Sequence, residues 1–182
     1  MPNDADNVQK IQKASHRLQQ VLRVCLVLVP SVSLVVWLTI NNAPQAMQAA
    51  VLPHYVQLPL PLWGRLLGFL TSILHVGVAM YGIIILMRLF RHYEEGRIFR
   101  LENVRCFRSL SRALLLWFAA SVVSVPIRSL ALTLHHPPGQ HYIELSLGSP
   151  DLTALLVGLV VGVIAWVMDE GRKLQEQQDY TI

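Results

Sequence analysis

Four long stretches of this sequence contain no lysine, arginine, aspartate or glutamate, and this feature constrains the fold most. They are residues 24–64, 66–87, 113–127 and 152–168. A helix that crosses the hydrocarbon core of a bilayer needs about 20 mainly apolar residues. Prolines interrupt the second half of the first stretch, and the third stretch continues through Arg128. The sequence therefore predicts four spans, at residues 24–40, 66–87, 113–134 and 152–168.

The composition indicates lipid rather than water around most side chains. Hydrophobic residues make up 53% of the chain and charged residues 14%, whereas soluble domains carry about 25% charged residues. We therefore expect an all-α membrane protein with a four-helix transmembrane bundle at residues 24–168. An amphipathic segment, residues 1–23, precedes the bundle, and a polar tail, residues 169–182, follows it.

The basic residues are distributed unevenly, and their distribution predicts the orientation. Arg65 and Arg128 lie at one edge, and the other 13 of the 15 lysines and arginines lie beyond the opposite ends of the spans. Because positively charged loops stay in the cytoplasm, we expect both termini and the middle loop there. The N-terminal segment is expected to lie on the membrane surface or to pack on the middle loop.

The same short sequence, an echo of three residues, follows two of the spans. Residues 95–97 and residues 170–172 both read Glu-Gly-Arg. A glycine such as Gly96 after a helix is typical of a C-terminal cap. The echo favours two parallel helical hairpins related by a pseudo-twofold axis along the membrane normal, or two caps that arose independently.

Two ionisable residues fall within the predicted spans. His75 lies near the middle of the second span, and Arg128 near the outer end of the third. Such residues are functional candidates, but no aspartate or glutamate lies within a span to pair with His75 in a proton relay. A neutral His75 hydrogen-bonded to Ser121, Ser124 or a backbone carbonyl is the simpler expectation. Arg128 is expected to reach the outer surface.

Three histidines between the third and fourth spans are weak candidates for a metal site: His135, His136 and His141. With Glu144 they offer donors that zinc or copper accepts, but their spacing matches no strict ligand motif. The sequence also lacks a Ser-His-Asp set, a phosphate-binding glycine loop and an H-E-x-x-H motif. We therefore expect no cofactor and no enzyme activity.

Small residues recur at every fourth position in two of the predicted spans. They are Gly64, Gly68 and Ser72, and Ala154, Gly158 and Gly162. Such faces let helices approach closely, either within the bundle or in a homodimer. The arginine excess of the middle loop suits the anionic inner leaflet, so the lipid bilayer is the expected partner and direct binding of nucleic acid is not expected.

The segments after the second and fourth spans resemble those of a known family. The motifs are Leu89-Phe90…Tyr93…Gly96-x-Ile98-Phe99…Glu102-Asn103 and Glu170-Gly171…Leu174…Gln178-Asp179…Thr181-Ile182. Over about residues 20–182 the chain resembles the bacterial membrane proteins of domain of unknown function 2975 (DUF2975). The resemblance implies a four-span protein of the bacterial inner membrane without established catalysis. It also implies a small helix-turn-helix DNA-binding regulator as partner, because such a regulator is often encoded beside family members.

Three functions stay open on this basis. The leading hypothesis is a non-enzymatic sensor or adaptor that docks a cytoplasmic partner. Its docking surface would combine the two motifs through Glu95, Gly96, Phe99, Glu102, Asn103, Glu170, Gly171, Leu174, Gln178 and Asp179. One alternative is a small transporter or channel subunit with His75 and the serines of the third span along its path. The other is a metal sensor that uses the three loop histidines on the periplasmic face.

Overall fold

Helices make up almost all of the chain that the structure describes. The computed structural model describes residues 3–53, 56, 58–96, 100–133 and 143–179, with the backbone alone for residues 3–11, 175, 176, 178 and 179. This part of the chain contains no strand. The helices are α1 (Asn3–Thr39), α2 (Gln45–Val51), α3 (Leu62–Glu94), α4 (Leu101–Thr133) and α5 (Ser149–Asp179), with a 3-10 turn at Ile40–Asn42.

The four long helices, α1, α3, α4 and α5, are long and apolar enough to cross a membrane. They pack in chain order, with α1 on α3, α3 on α4 and α4 on α5. This order places α3 and α4 at the centre, and α1 and α5 on either side. The predicted fold class is confirmed: the protein is an all-α membrane protein with a four-helix bundle.

Close packing between α1 and α3 depends on Trp37. The Trp37 side chain is 3% exposed, and its indole N–H donates to the Ser72 hydroxyl at 2.9 Å. A Cβ atom on Gly68 would overlap the Trp37 ring. Trp37 also packs in a buried cluster with Ile40 and, from α4, Leu132. One indole thus joins α1 to α3 and to the last turn of α4.

A second buried cluster lies near the other end of the bundle. Ile85 and Leu89 of α3 pack there against Cys106 and Ala113 of α4. The surrounding surface carries five arginines, and we call this the arginine-rich end. They are Arg88, Arg91, Arg105, Arg108 and Arg112. The other end of the bundle, which contains Trp37, is the opposite end.

The N-terminal segment continues α1 without a break and packs against the end of α3. The Glu94 carboxylate accepts a hydrogen bond from the Gln19 amide at 2.8 Å, and its other oxygen lies 2.8 Å from the His16 Nδ1 atom. Ser15 and Gln19 are buried at this contact. Of the two placements expected for the segment, the structure shows packing on the protein.

The start of α5 lies beside the middle of α4. The Ser111 hydroxyl donates to the Gly158 carbonyl at 2.7 Å, and the Ser121 hydroxyl donates to the Asp151 carboxylate at 2.5 Å. Ser121 lies nine residues after Arg112 and twelve before the end of α4, which corresponds to about 13 Å and 18 Å of helix. The outer half of α4 therefore extends beyond the first turn of α5.

The two Glu-Gly-Arg segments differ in conformation. Gly96 follows the end of α3 with a φ of 73°, and its N–H donates to the Tyr93 carbonyl at 3.1 Å, as expected of a C-terminal cap. Helix α5 instead continues through Gly171 to Asp179. Pairs that Asp169 makes with Arg172 and Lys173 on the next turn favour this continuation. The echo in sequence is therefore not a repeated cap.

Candidate functional site: a polar cluster inside the bundle

A hydrogen-bonded chain of three side chains joins α3, α4 and α5. The His75 Nε2 atom lies 3.0 Å from the Ser121 hydroxyl, which donates to the Asp151 carboxylate at 2.5 Å. The Ser121 side chain is buried. Because Ser121 lies near the middle of the apolar part of α4, the chain lies at membrane depth. A carboxylate and an imidazole at such depth are functional candidates.

The donor directions along this chain are mutually consistent. A serine hydroxyl has one proton and two acceptor sites. When Ser121 donates to Asp151, it accepts from a proton on His75 Nε2. The other ring nitrogen, Nδ1, then accepts from the Ser124 hydroxyl at 3.4 Å. A neutral His75 protonated at Nε2 therefore makes a hydrogen bond through each of its two ring nitrogens.

Two further side chains of α4 surround His75. The Trp117 ring meets the imidazole edge to face, with 5.1 Å between the ring centroids and 81° between the planes. Arg128 lies one turn beyond Ser124 on the same side of α4. The His75 imidazole thus packs against the Trp117 ring, and Arg128 lies on the following part of α4, toward the opposite end.

The contact of His75 with Ser121 and Ser124 is the one expected from the sequence, but the expectation that no acid would reach it is wrong. Asp151 directly precedes the predicted fourth span, residues 152–168. In the structure, α5 begins at Ser149 beside the middle of α4, which brings Asp151 to Ser121. The shift of α5 along α4 decides this contact. The pattern of apolar residues in the sequence does not report that shift.

Below the polar cluster, α4 and α5 stay joined as far as the arginine-rich end. The Ser111 hydroxyl packs against Gly162 of α5. A Cβ atom on this glycine would lie 2.9 Å from the hydroxyl oxygen. Further along, the Asp169 carboxylate pairs with Arg108 of α4 at 3.3 Å and with Arg172 at 3.4 Å. Asp169 was not among the residues singled out from sequence, although its position directly after the apolar run is a signal for such a role.

The structure separates the two halves of the predicted docking surface. Glu95 and Gly96 lie at the end of α3 beside the N-terminal segment, and α4 lies between α3 and α5. Glu102 is exposed on the first turn of α4, whereas Asn103 is fully buried. On α5, three of the predicted residues, Glu170, Gly171 and Leu174, line an exposed groove of about 320 Å³ together with Trp166 and Val167.

Several predicted site residues lie outside the described residues. They are Phe99, His135, His136 and His141, together with the side chains of Gln178 and Asp179. Among the residues that are described, no group of three His, Cys, Asp or Glu side chains could hold a metal ion. The metal-sensor hypothesis therefore stays a prediction from sequence.

Both stripes of small residues pack against a neighbouring helix of the same chain. Gly68 and Ser72 receive Trp37 of α1, as described above. On α5, a Cβ atom on Gly158 would lie 3.0 Å from Leu114 of α4. The stripes therefore bring α1 to α3 and α5 to α4, which is the ordinary interpretation of such faces.

Comparison with known proteins identifies the family. No curated protein and no solved structure matches the chain. A family model described as protein of unknown function (DUF2975) matches residues 28–182. The matched region contains α3, α4 and α5 completely, and with them the whole polar cluster. The chain therefore belongs to the DUF2975 family, as the resemblance of its two motifs implied.

Proposed function

We propose that this protein is a non-enzymatic sensor of the bacterial inner membrane, in which the polar cluster is the input and the arginine-rich end is the output. The observation that carries the proposal is the His75–Ser121–Asp151 chain, which joins three helices at membrane depth. Both termini and the arginine-rich end lie in the cytoplasm in this proposal, since basic segments stay on that side.

The contacts between α4 and α5 support a route from input to output. Binding of a ligand to the Asp151 carboxylate alters the hydrogen bond that holds the start of α5 to Ser121. The same two helices meet again at Ser111 and, through Asp169, at the arginine-rich end. Packed helices switch between discrete arrangements, so a shift at one end of α5 changes its position at the other.

The output surface in this proposal is the exposed groove on α5 together with the neighbouring first turn of α4. The Leu174 and Trp166 side chains are 56% and 65% exposed, with Glu170 between them. An amphipathic helix of a cytoplasmic partner fits such a surface, because apolar anchors and a charged rim recur in helix-in-groove binding. The family resemblance favours a small helix-turn-helix DNA-binding regulator as that partner.

Affinity capture from native membranes tests this proposal, with the tag at the N-terminus so that residues 170–182 stay free. We expect one specific soluble partner with the wild-type protein. We expect its loss when Glu102 of α4 and Glu170 of α5 are both changed to alanine, and its retention in Glu95→Ala, which lies at the end of α3. A control variant, Lys13→Ala with Arg17→Ala, changes exposed charges of the same end and keeps the partner. A partner that survives the double change at Glu102 and Glu170 would refute the proposed surface.

A second function, a small transporter or channel subunit, is favoured by one observation. The structure brings an acid, Asp151, to within one hydroxyl group of His75, and intramembrane acid and histidine chains occur in proton pathways. This function predicts substrate-dependent flux in liposomes that His75→Ala abolishes. No flux across a broad panel of ions and small solutes would contradict it.

A further inference from the structure

The segment that precedes α5, residues 143–148, is extended and lies along the outer half of α4. Near its start, the Glu144 N–H donates to the Ser129 hydroxyl at 3.0 Å, and at its end the Gly148 N–H donates to Asp151 at 2.9 Å. Asp151 in turn contacts Ser121. The segment therefore descends from the level of Ser129 to that of Ser121, which is about 12 Å along α4.

The described protein groups satisfy only part of the backbone of this segment. Among the described residues, no acceptor contacts the N–H groups of Leu145 and Leu147, whose side chains are 81% and 48% exposed. Non-helical backbone at membrane depth occurs where it is buried in protein or borders a water-filled cavity. Because this segment is exposed, its peptide groups are accessible to water.

Helix α4 presents a further polar group to the same region. Pro126 lies inside α4 and has no N–H, so the Val122 carbonyl lacks its usual helical donor. A groove of about 270 Å³ separates this part of α4 from the extended segment. Its lining consists of Val122, Val125, Pro126, Leu145, Ser146 and Leu147. The groove thus lies between the Val122 turn of α4 and the peptide groups of Leu145 and Leu147.

We infer that the extended segment and the outer half of α4 border a water-filled vestibule, which connects the Asp151 carboxylate with the solution at the opposite end. The vestibule opens to the solution beside Ser129, and its inner end lies at the Ser121–Asp151 contact. It gives the polar cluster access from one side of the membrane, while the packed α4–α5 contact at Ser111 and Gly158 closes the other side.

The ligand that suits this vestibule is a small cation, either a proton or a hydrated monovalent ion. Two carboxylates adjoin the extended segment: Asp151 accepts from the Gly148 N–H at 2.9 Å, and Glu144 accepts from the Ser146 hydroxyl at 2.9 Å. Carboxylates beside the vestibule attract cations. The ligand class rests on the proposed sensor function, whereas the vestibule itself does not.

Thiol labelling of single-cysteine variants tests the vestibule. Cys25 and Cys106 are changed to serine, and Ser146→Cys is introduced in the vestibule. The matched control is Leu74→Cys, which adjoins His75 and therefore lies at the same depth, but is 46% exposed on the surface of α3. An impermeant maleimide is added to sealed vesicles from each side. Ala14→Cys marks the side of the arginine-rich end.

We expect Ser146→Cys to react from the side opposite to Ala14→Cys, and Leu74→Cys to react from neither side. Reaction of both Ser146→Cys and Leu74→Cys would show that this half of the bundle stands outside the hydrocarbon, and would overturn the vestibule. Absence of reaction at Ser146→Cys would overturn it as well. Partner capture is independent of labelling, so the two proposals fail separately.

The charge of the vestibule is measured with cationic and anionic thiosulfonates of similar size. In the Ser146→Cys protein, we expect the ratio of cationic to anionic labelling rates to fall roughly fivefold when Asp151→Asn is added. This substitution removes the charge and keeps an oxygen that accepts from Ser121. An unchanged ratio would overturn the assignment of a small cation to this site.

Discussion

The Asp151 carboxylate lies 2.5 Å from the Ser121 hydroxyl, so the first turn of α5 is fixed against the middle of α4. The two residues are 30 positions apart in the chain. Their contact places an acid within the membrane-embedded part of the bundle and completes the chain that begins at His75. The stagger of α5, the proposed input site and the vestibule all follow from this one contact.

Loss of the shared hydroxyl destabilises the bundle. In Ser121→Ala, both His75 and Asp151 lose a partner at a part-buried site. We expect the free energy of unfolding to fall by about 1–3 kcal/mol, measured as a lower Tm in detergent. The control is Thr153→Ala, since the exposed Thr153 hydroxyl bonds only within α5, to the Ser149 carbonyl. Equal losses in the two variants would contradict the importance of the chain.

Two glycines of α3 are expected to respond oppositely to substitution. In Gly68→Ala, the new methyl group overlaps the Trp37 ring, and overpacking of this kind costs about 1–3 kcal/mol. Gly77 has nothing within 4 Å of a Cβ atom, so Gly77→Ala is neutral or stabilising by up to about 1 kcal/mol. Thermal unfolding of both variants in the same detergent provides the measurement. A stable Gly68→Ala protein would argue against the observed α1–α3 packing.

The two glycines of the motifs form a second contrasting pair. Gly96 has a φ of 73°, and an alanine in that conformation costs about 1 kcal/mol. Gly171 lies inside α5 with nothing within 4 Å of a Cβ atom, so Gly171→Ala favours the helix by up to about 1 kcal/mol. We expect a lower Tm for Gly96→Ala and a higher one for Gly171→Ala. A lower Tm for both would indicate that Gly171 also ends a helix.

The N-terminal segment is expected to loosen when its anchor is removed. Glu94→Ala deletes the carboxylate that contacts His16 and Gln19. Trypsin cleavage after Lys13 and Arg17 should then accelerate by about threefold or more, because cleavage requires local opening. Cleavage is followed on gels. In the control, Glu170→Ala, the deleted carboxylate contacts Lys173 of its own helix, so the rate should stay unchanged. A similar acceleration in both variants would contradict the anchor.

Sequence patterns predicted the helical fold because they report local physical requirements. Apolar run length predicted the four long helices, and the family followed from the motifs around Gly96 and Gly171. The end of α3 at Gly96 was predictable, since a positive φ suits glycine. The neighbours of His75 were also predictable, because Ser121 and Ser124 are serines of the adjacent span.

The acid of the polar cluster was not predictable in the same way. In the sequence, Asp151 marks the polar end of an apolar stretch. The pattern does not show at which depth in the membrane this end lies. The same holds for Glu94. The sequence indicates a surface charge there, whereas in the structure the N-terminal segment packs on it. Both cases depend on how far one helix is shifted along another.

The sequence by itself determined that this protein spans the membrane four times, because the cost of a charge or a free peptide group in lipid shows directly in the order of residues. Only the tertiary structure decided which polar side chains meet. Helix stagger depends on how individual side chains, such as Ser111 against Gly158 and Trp37 against Gly68, fit between neighbouring helices. That fit is a property of surfaces in contact, and it brought Asp151 to Ser121 and His75.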